Sequence, residues 1–424
     1  MSERDPDERF PVTQPPAAPR RELDVVLHGA TGYVGRLTAE HLARGAPAGL
    51  RIALSGRSRA RLEQLRDDLG ERASAWTVLV TDSADGAALA ALVRRTRVVA
   101  STVGPYARHG EPLVAACADA GTHYVDLTGE VLFVRSTIDA HHARAQATGA
   151  RIVHACGFDS VPSDLAVLLL HQQVTADGAG VLGDTTLVVR MRGGLSGGTV
   201  ASMLGQLDAV HTDPQARRVV LDPYALSPDR DQEPVLPDER DAVPPFAAEP
   251  LGGWVGPFVM APFNTRVVRR SNALLGWSYG RSFRYREVMG FGRGRQAQAR
   301  AWAVAGGLAA VLGAAGWGPS RAALQRVVPQ PGSGPSPEQR AKGSFEVRVL
   351  TRTSTGVEYV ARVAADRDPG YDATAVMLGE SAVALALGQH LPDRAGVLTP
   401  ATGIGTALVH RLRDNGFELS VGRR

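Results

Sequence analysis

The sequence predicts an α/β protein: a doubly wound parallel sheet, followed by a second α+β domain built on a mostly antiparallel sheet. Three observations carry this reading. Short apolar runs alternate with helix-length stretches between residues 23 and 155. A glycine-rich turn, Gly29 to Gly35, stands directly after the first of those runs. Beyond Cys156 the texture changes to prolines, glycines and long irregular stretches, with strand-like runs such as FEVRVLT and VEYVARVAA.

Taken in order, residues 23–28 (LDVVLH) form a short apolar strand. Residues 33–44 form a helix with Val34, Leu37, Thr38 and Leu42 near one face. A second strand (51–54) and helix (58–69), a third pair (76–80 and 84–95) and a fourth (97–100 and 111–120) follow. Residues 123–127 and 151–155 supply two more strands, with a helix over 131–148 between them. Strand–helix alternation that begins on a glycine-rich turn is the Rossmann pattern. The domain is placed at 21–160, after a charged, proline-rich and disordered leader over 1–20 that has no apolar core. Residues 161–370 make the second domain, including strand-like runs at 183–192 and 343–365, and 371–424 supplies C-terminal helices that pack back on the first.

Composition narrows the function. The chain has 424 residues, 44% of them hydrophobic and 21% charged, which suits a two-domain globular protein. A net charge of +4 and a pI of about 9.3 arise without any long basic run, so nucleic acid is not the expected partner. Lys342 is the only lysine, which removes lysine as acid or base from any site built of residues 1–341. The cysteines, Cys117 and Cys156, fit a reducing, cytoplasmic setting and are too few for a cysteine-based metal site; no metal is expected. Residues 301–317 (AWAVAGGLAAVLGAAGW) carry no charge but fall short of the ~20 apolar residues that span a bilayer. They read as a buried or dimer-interface helix, or as a peripheral membrane contact flanked by arginines at 293, 295, 300 and 321.

The turn Gly29-Ala30-Thr31-Gly32-Tyr33-Val34-Gly35 is a dinucleotide cradle. Gly29 turns the chain out of the strand, Gly32 lets backbone approach a pyrophosphate, and Gly35 lets the helix pack closely. Free N–H groups of the first helical turn then face the phosphates. The spacing has one residue more than G-x-G-x-x-G, so the strand before and helix after carry the inference. An NAD site usually has Asp or Glu about 20 residues on, for the ribose 2′-hydroxyl. Here the second strand ends Leu54-Ser55-Gly56-Arg57-Ser58-Arg59, with no carboxylate. Arg57 suits a 2′-phosphate, with hydrogen bonds from Ser55 and Ser58, which favours NADPH over NADH. Asp82 stands where it can meet the adenine amino group or cap a helix. Thr102 and Gly104 follow the fourth strand on the ligand-binding carboxyl edge.

The series GATGYVG, LSGRS, STVGPYARHGEPLVAAC, AGTHYVDLTGE and HACGFDSVPSD resembles the saccharopine dehydrogenase-like oxidoreductases in order and spacing. SGGT (196–199), MAPFNTRVVRRS (260–271), DPGYDATAVMLGES (368–381) and GVLTPATGIGTALVHRL (396–412) extend the resemblance over nearly the whole chain after residue 20. The chain is most similar to the actinobacterial trans-acting enoyl reductase branch. That resemblance implies NADPH-dependent reduction of an enoyl chain held on a polyketide synthase's acyl carrier, toward cell-envelope lipids and glycolipids. True saccharopine dehydrogenases place a lysine and a histidine at the hydride-transfer site, and no lysine precedes residue 342 here.

Enoyl reduction needs a hydride at the β-carbon, a proton at the α-carbon and a donor for the enolate oxygen. The polar groups on the carboxyl edge are Tyr106 and His109, then Tyr124, Asp126 and Glu130, then Cys156, Asp159, Ser160 and Ser163. Tyr106 is taken as the oxyanion or proton donor with His109 supporting it, while Asp159 and Ser160 also suit a helix cap near Pro162. Arg190, Arg192 and the Arg269-Arg270 pair would serve a carboxylated substrate, and an apolar cleft an acyl one. A homo-oligomer is expected.

Overall fold

The computed structural model describes residues 21–193, 197–236, 243–315 and 334–424. The leader expected over 1–20 lies outside the described residues, as do residues 316–317 of the apolar segment and residue 196 of the SGGT run. Seven strands form the first sheet: β1 (Leu23–His28), β2 (Ile52–Gly56), β3 (Thr77–Val80), β4 (Thr96–Ser101), β5 (His123–Asp126), β6 (Arg151–Val153) and β13 (Gly396–Leu398). Their order is β13-β6-β5-β4-β1-β2-β3 and every pairing is parallel. β1 is buried along its whole length, as a strand covered on both faces must be. The chain runs from β1 outward to β3, then returns to β4 on the other side of β1. That reversal opens a crevice at the carboxyl edge.

Two strand ends differ from the sequence reading. β2 runs on to Gly56 because Ser55 and Gly56 pair with Leu79 and Val80. β6 stops at Val153, because Ala155 turns into the left-handed region (φ 59°) and its N–H goes to Asp126 Oδ1 at 3.0 Å. An extra helical turn, α4 (Tyr106–His109), precedes α5 (Glu111–Ala120). The linking helices α1 (Tyr33–Gly45), α2 (Arg59–Asp68), α3 (Gly86–Arg95) and α6 (Val131–Thr148) alternate with the strands.

The second sheet is mixed: β7 (Leu182–Arg192), β8 (Phe246–Ala248), β9 (Gly253–Pro257), β10 (Arg284–Gly292), β11 (Ser344–Thr353), β12 (Glu358–Ala365) and β14 (Glu418–Arg423), in the order β14-β12-β11-β7-β10-β9-β8. β7 and β10 are parallel and the other neighbours antiparallel. Along β11 buried Phe345, Val347 and Val349 alternate with half-buried Glu346 and Arg348, which turns one face onto the apolar α7 (Val161–Ala176). Among the long irregular stretches expected beyond Cys156, residues 212–258 hold α9 (Pro214–Leu221), β8 and β9, and α8 (Gly197–Thr212) enters them.

The C-terminal segment serves both sheets. α12 (Thr374–Leu387) lies on α1, β4 and β5, where Glu380 binds His41 Nε2 at 2.6 Å and Arg411 Nε at 2.5 Å, and β14 pairs with β12. The apolar segment is no core helix. In α11 (Arg295–Ala315) Ala297 and Ala301 are buried on the β9–β10 side, but Trp302 is 53% and Val304 39% exposed. No helix among the described residues is long and apolar enough to cross a membrane.

Candidate active site

The turn after β1 fits a pyrophosphate. Gly29 has φ +83°, and a Cβ there would stand 2.7 Å from both Thr102 Oγ1 and Val103 Cγ2. Its N–H and that of Ala30 donate to the Ser55 carbonyl at 2.9 and 3.2 Å. A Cβ on Gly35 would fall 2.3 Å from the Gly29 carbonyl oxygen, so α1 closes on the turn itself. Exposed Gly32 is the N-cap and offers no side chain; the first intrahelical bond runs from Arg36 N–H to Gly32 O at 2.8 Å. The N–H groups of Tyr33, Val34 and Gly35 precede that bond, and the first turn holds no acid to compete with an anion. Thr31 leans toward the end of β2, where its Oγ1 is 3.9 Å from a Cβ built on Gly56. The side chains of Tyr33 and Val34 point the other way, into a cluster with Leu37, Tyr371 and Ala375. Tyr33 OH donates to the Pro335 carbonyl and receives a bond from Arg340, which pairs with Asp372 at 2.9 Å.

At the end of β2, Arg57 is exposed and has no partner among the described residues. Ser58 is the N-cap of α2, its hydroxyl accepting from Arg61 N–H at 3.4 Å. Ser55 corrects the sequence reading: its side chain is buried and its Oγ lies 3.1 Å from His28 Nδ1, so it shapes the turn from behind and does not reach a ribose phosphate. His28 is bonded on its other nitrogen to Ser83 Oγ at 2.9 Å, and burial pushes its imidazole down to about 4. Asp82 is exposed and receives Ala84 N–H at 3.0 Å in a turn; the cap of α3 is Asp85.

The loops after β4, β5 and β6 complete the crevice. Thr102 Oγ1 donates to the Gly29 carbonyl at 3.0 Å and holds the β4 loop to the turn. Gly104 is exposed, and a Cβ there would come nearest the Tyr106 ring, at 3.5 Å. Tyr106 is a correction of substance. Its ring is buried against Phe133, its hydroxyl donates to the Ser101 carbonyl at 3.0 Å and accepts from Leu127 N–H at 3.2 Å, and burial raises its pKa well above the usual phenol value. Its proton is committed to the fold. His109 is exposed at the end of α4 and does not bond that hydroxyl.

Glu130 holds the start of α4 by accepting Tyr106 N–H (2.9 Å), Ala107 N–H (2.8 Å) and Ser202 Oγ–H (2.7 Å). Asp126 joins β5 to β6 through His154 Nδ1 at 2.8 Å and Ala155 N–H at 3.0 Å. Cys156 is buried and burial raises its thiol. Ser160 stands at the N-cap of α7 without a side-chain cap bond; its hydroxyl lies 3.1 Å from Asn264 Oδ1.

Asp159 is different from all of these. It is half-buried, has no hydrogen-bond partner among the described residues, and loss of hydration pushes its carboxyl up to about 7. One of its oxygens is 4.0 Å, and Met260 Cε 3.5 Å, from the point where a Cβ on Gly129 would stand. Gly129 thus leaves a slot beside the carboxyl.

Among the described residues, the arginines weighed for a carboxylated substrate are not shown lining this edge. Arg269 and Arg270, on α10 (Ala261–Leu274), are buried and turned to backbone carbonyls, Arg270 to those of Leu226 and Val397 at 2.5 Å each. Arg190 and Arg192 line a groove of about 780 Å³ at the end of the second sheet, with Glu346, Arg362 and Glu418.

An open helix N-terminus after β1, an exposed arginine after β2 and a crevice closed by the β4–β6 loops define a dinucleotide-dependent oxidoreductase. Residues 25–153 match the family described as the saccharopine dehydrogenase NADP binding domain. Saccharopine dehydrogenase (L-Glu forming) from Saccharomyces cerevisiae shares the fold, at TM-score 0.52 and 12% identity, over 94% of this chain and 99% of that one. A Mycobacterium tuberculosis protein provisionally named a trans-acting enoyl reductase is 52% identical over 417 residues, covering 95% of this chain and 98% of its own. The trans-acting enoyl reductase of Mycobacterium ulcerans is 47% identical over 418 residues, covering 95% and 99%. The chain belongs to the trans-acting enoyl reductase branch of the saccharopine dehydrogenase-like oxidoreductases. It is an oxidoreductase and its cofactor is NADPH.

Sequence reasoning missed several residues that build this site. His28 could have been noticed as a polar residue ending an apolar strand. Gly129 and Met260 lie within AGTHYVDLTGE and MAPFNTRVVRRS, but their place in the site is not readable there, because it depends on two loops 131 residues apart meeting.

Proposed function

We propose that the protein reduces the carbon–carbon double bond of an α,β-unsaturated acyl thioester presented on the acyl carrier of a polyketide synthase, yielding a saturated chain for envelope lipids or glycolipids. The observation that carries this reading is the chemistry around Asp159. The slot is bounded by Met260 and Gly129; of the arginines that would bind a substrate carboxylate, Arg269 and Arg270 are turned to backbone carbonyls, and Arg190 and Arg192 line the groove of the second sheet. An amino-diacid would find no cation there among the described residues, whereas an acyl chain needs none. The names of the mycobacterial relatives support the same substrate class.

The chain's own groups divide the work. The N–H groups of Tyr33, Val34 and Gly35 bind the pyrophosphate, and Arg57 grips the 2′-phosphate as Ser58 fixes the start of α2. Thr102 and Glu130 hold the β4 loop and α4 against the turn, which sets the floor under the nicotinamide half of the crevice. Bound NADPH supplies a hydride. The experiment is a comparison of substrates. The purified protein should oxidise NADPH with an enoyl chain on a carrier protein and leave a β-ketoacyl chain or an imine untouched. Preference for the ketone or imine would overturn the proposal.

A further inference from the structure

Saturating an enoyl thioester requires a proton at the α-carbon, and most polar groups at this edge have none to give. The Tyr106 proton is held by Ser101, Glu130 accepts three donors, Asp126 is locked to His154 and Ala155, and the Cys156 thiol is buried. Resting on the enoyl reading above, we infer that Asp159 is the proton donor to the α-carbon, acting from the slot between Gly129 and Met260. It follows β6 on the carboxyl edge, in the half of the sheet that receives the nicotinamide end of a dinucleotide. Its carboxyl has no partner among the described residues, and the nearest atom to the missing Gly129 Cβ is the apolar Met260 methyl. A carboxyl in that setting stays protonated near neutrality, as its shift to about 7 records; no neighbouring charge contributes to that shift. Tyr106 on α4 is a titratable group that Asp159 acts on from another element, and Tyr106 remains a neutral phenol.

The balance is simple. The double bond gains a hydride at its β-carbon from the cofactor, so the alkene is reduced and NADPH oxidised. The electron pair of the double bond moves to the α-carbon as enolate. The Asp159 O–H bond breaks as the new Cα–H bond forms, leaving a carboxylate that recovers its proton from water.

Asp159→Asn keeps the shape and removes the acid. It should lower enoyl turnover at least a hundredfold with NADPH affinity unchanged. In heavy water the wild-type product should carry α-deuterium in one configuration, and the residual product of D159N in both. Infrared difference spectra of the substrate-free protein should show a protonated-carboxyl band that titrates near 7 and is missing from D159N. Gly129→Ala meets only ordinary contacts, at 3.5 and 4.0 Å, so it should fold normally, yet it fills the slot and should slow turnover. Wild-type turnover and stereochemistry in D159N would overturn the assignment alone. Failure of the wild-type protein to reduce any enoyl thioester would instead overturn the proposed function and this assignment with it.

Discussion

A single methyl group at Gly35 tests the cofactor cradle. The added Cβ would lie 2.3 Å from the Gly29 carbonyl oxygen and 2.9 Å from Ala30 Cα, where ordinary contact begins at 3.4 Å. Both obstacles are backbone, so no side chain can swing aside. The start of α1 must therefore retreat by about 1 Å, taking the N–H groups of Tyr33, Val34 and Gly35 with it. A bond of about 2.9 Å to a phosphate oxygen then stretches to about 3.9 Å and is lost. Hydrogen bonds to charged groups contribute roughly 1.5–3 kcal/mol each, so one lost bond weakens binding about 10- to 150-fold. Gly35→Ala should raise the Kd for NADPH at least about tenfold, read by titration calorimetry or by the cofactor's fluorescence. A melting curve on the same sample checks the fold. A folded variant whose Kd stays within about threefold of the parent would refute the turn as the pyrophosphate site.

Three further outcomes are expected. Arg57→Glu removes the grip on the 2′-phosphate and adds repulsion; the Kd for NADPH should rise about tenfold or more at low salt and that for NADH hardly move, seen by titrating both. His28 is held neutral down to about 4, against 6.5 when unfolded, so its share of stability is intact above 6.5 and is lost as pH falls toward 4. That share is about 3 kcal/mol, and His28→Gln should abolish it. It is read as the wild-type-minus-variant difference in urea midpoints, because the raised acids Asp159 and Asp164 slope the opposite way. Glu380→Ala strips the buried carboxylate from His41 and Arg411 and should cost about 3 kcal/mol in denaturant unfolding, with NADPH affinity unchanged.

Six of the seven strands of the first sheet were legible because each holds an apolar run bounded by turns, and β1 with its glycines is a local pattern; β13, only three residues long and joining β6 from 245 residues away, was read as part of the C-terminal helices. The same local logic singles out Arg57 as the candidate, since the absence of a carboxylate after β2 needs only neighbouring residues to be seen. It failed where geometry decides. Tyr106 looks available in sequence, but its hydroxyl meets Ser101 O and Leu127 N–H only once β4 and β5 lie side by side. Ser55 was assigned by proximity to Arg57, yet strand alternation turns it inward to His28. The arginines of α10 resembled a substrate-binding pair, and only the packed loop at 220–226 shows them bonded to carbonyls. Asp159 stood among several polar candidates, and what sets it apart, the lack of a partner among the described residues, is not written in sequence spacing.

The central claim is that this crevice delivers a hydride from NADPH to the β-carbon of an enoyl chain. The direct measurement is mass spectrometry of the acyl chain after reaction of a carrier-bound enoyl thioester with NADPH deuterated at the transferable position. The account predicts a saturated chain carrying one deuterium at the β-carbon and a solvent-derived hydrogen at the α-carbon. An unchanged double bond, or deuterium on a carbinol or amine carbon, would contradict it.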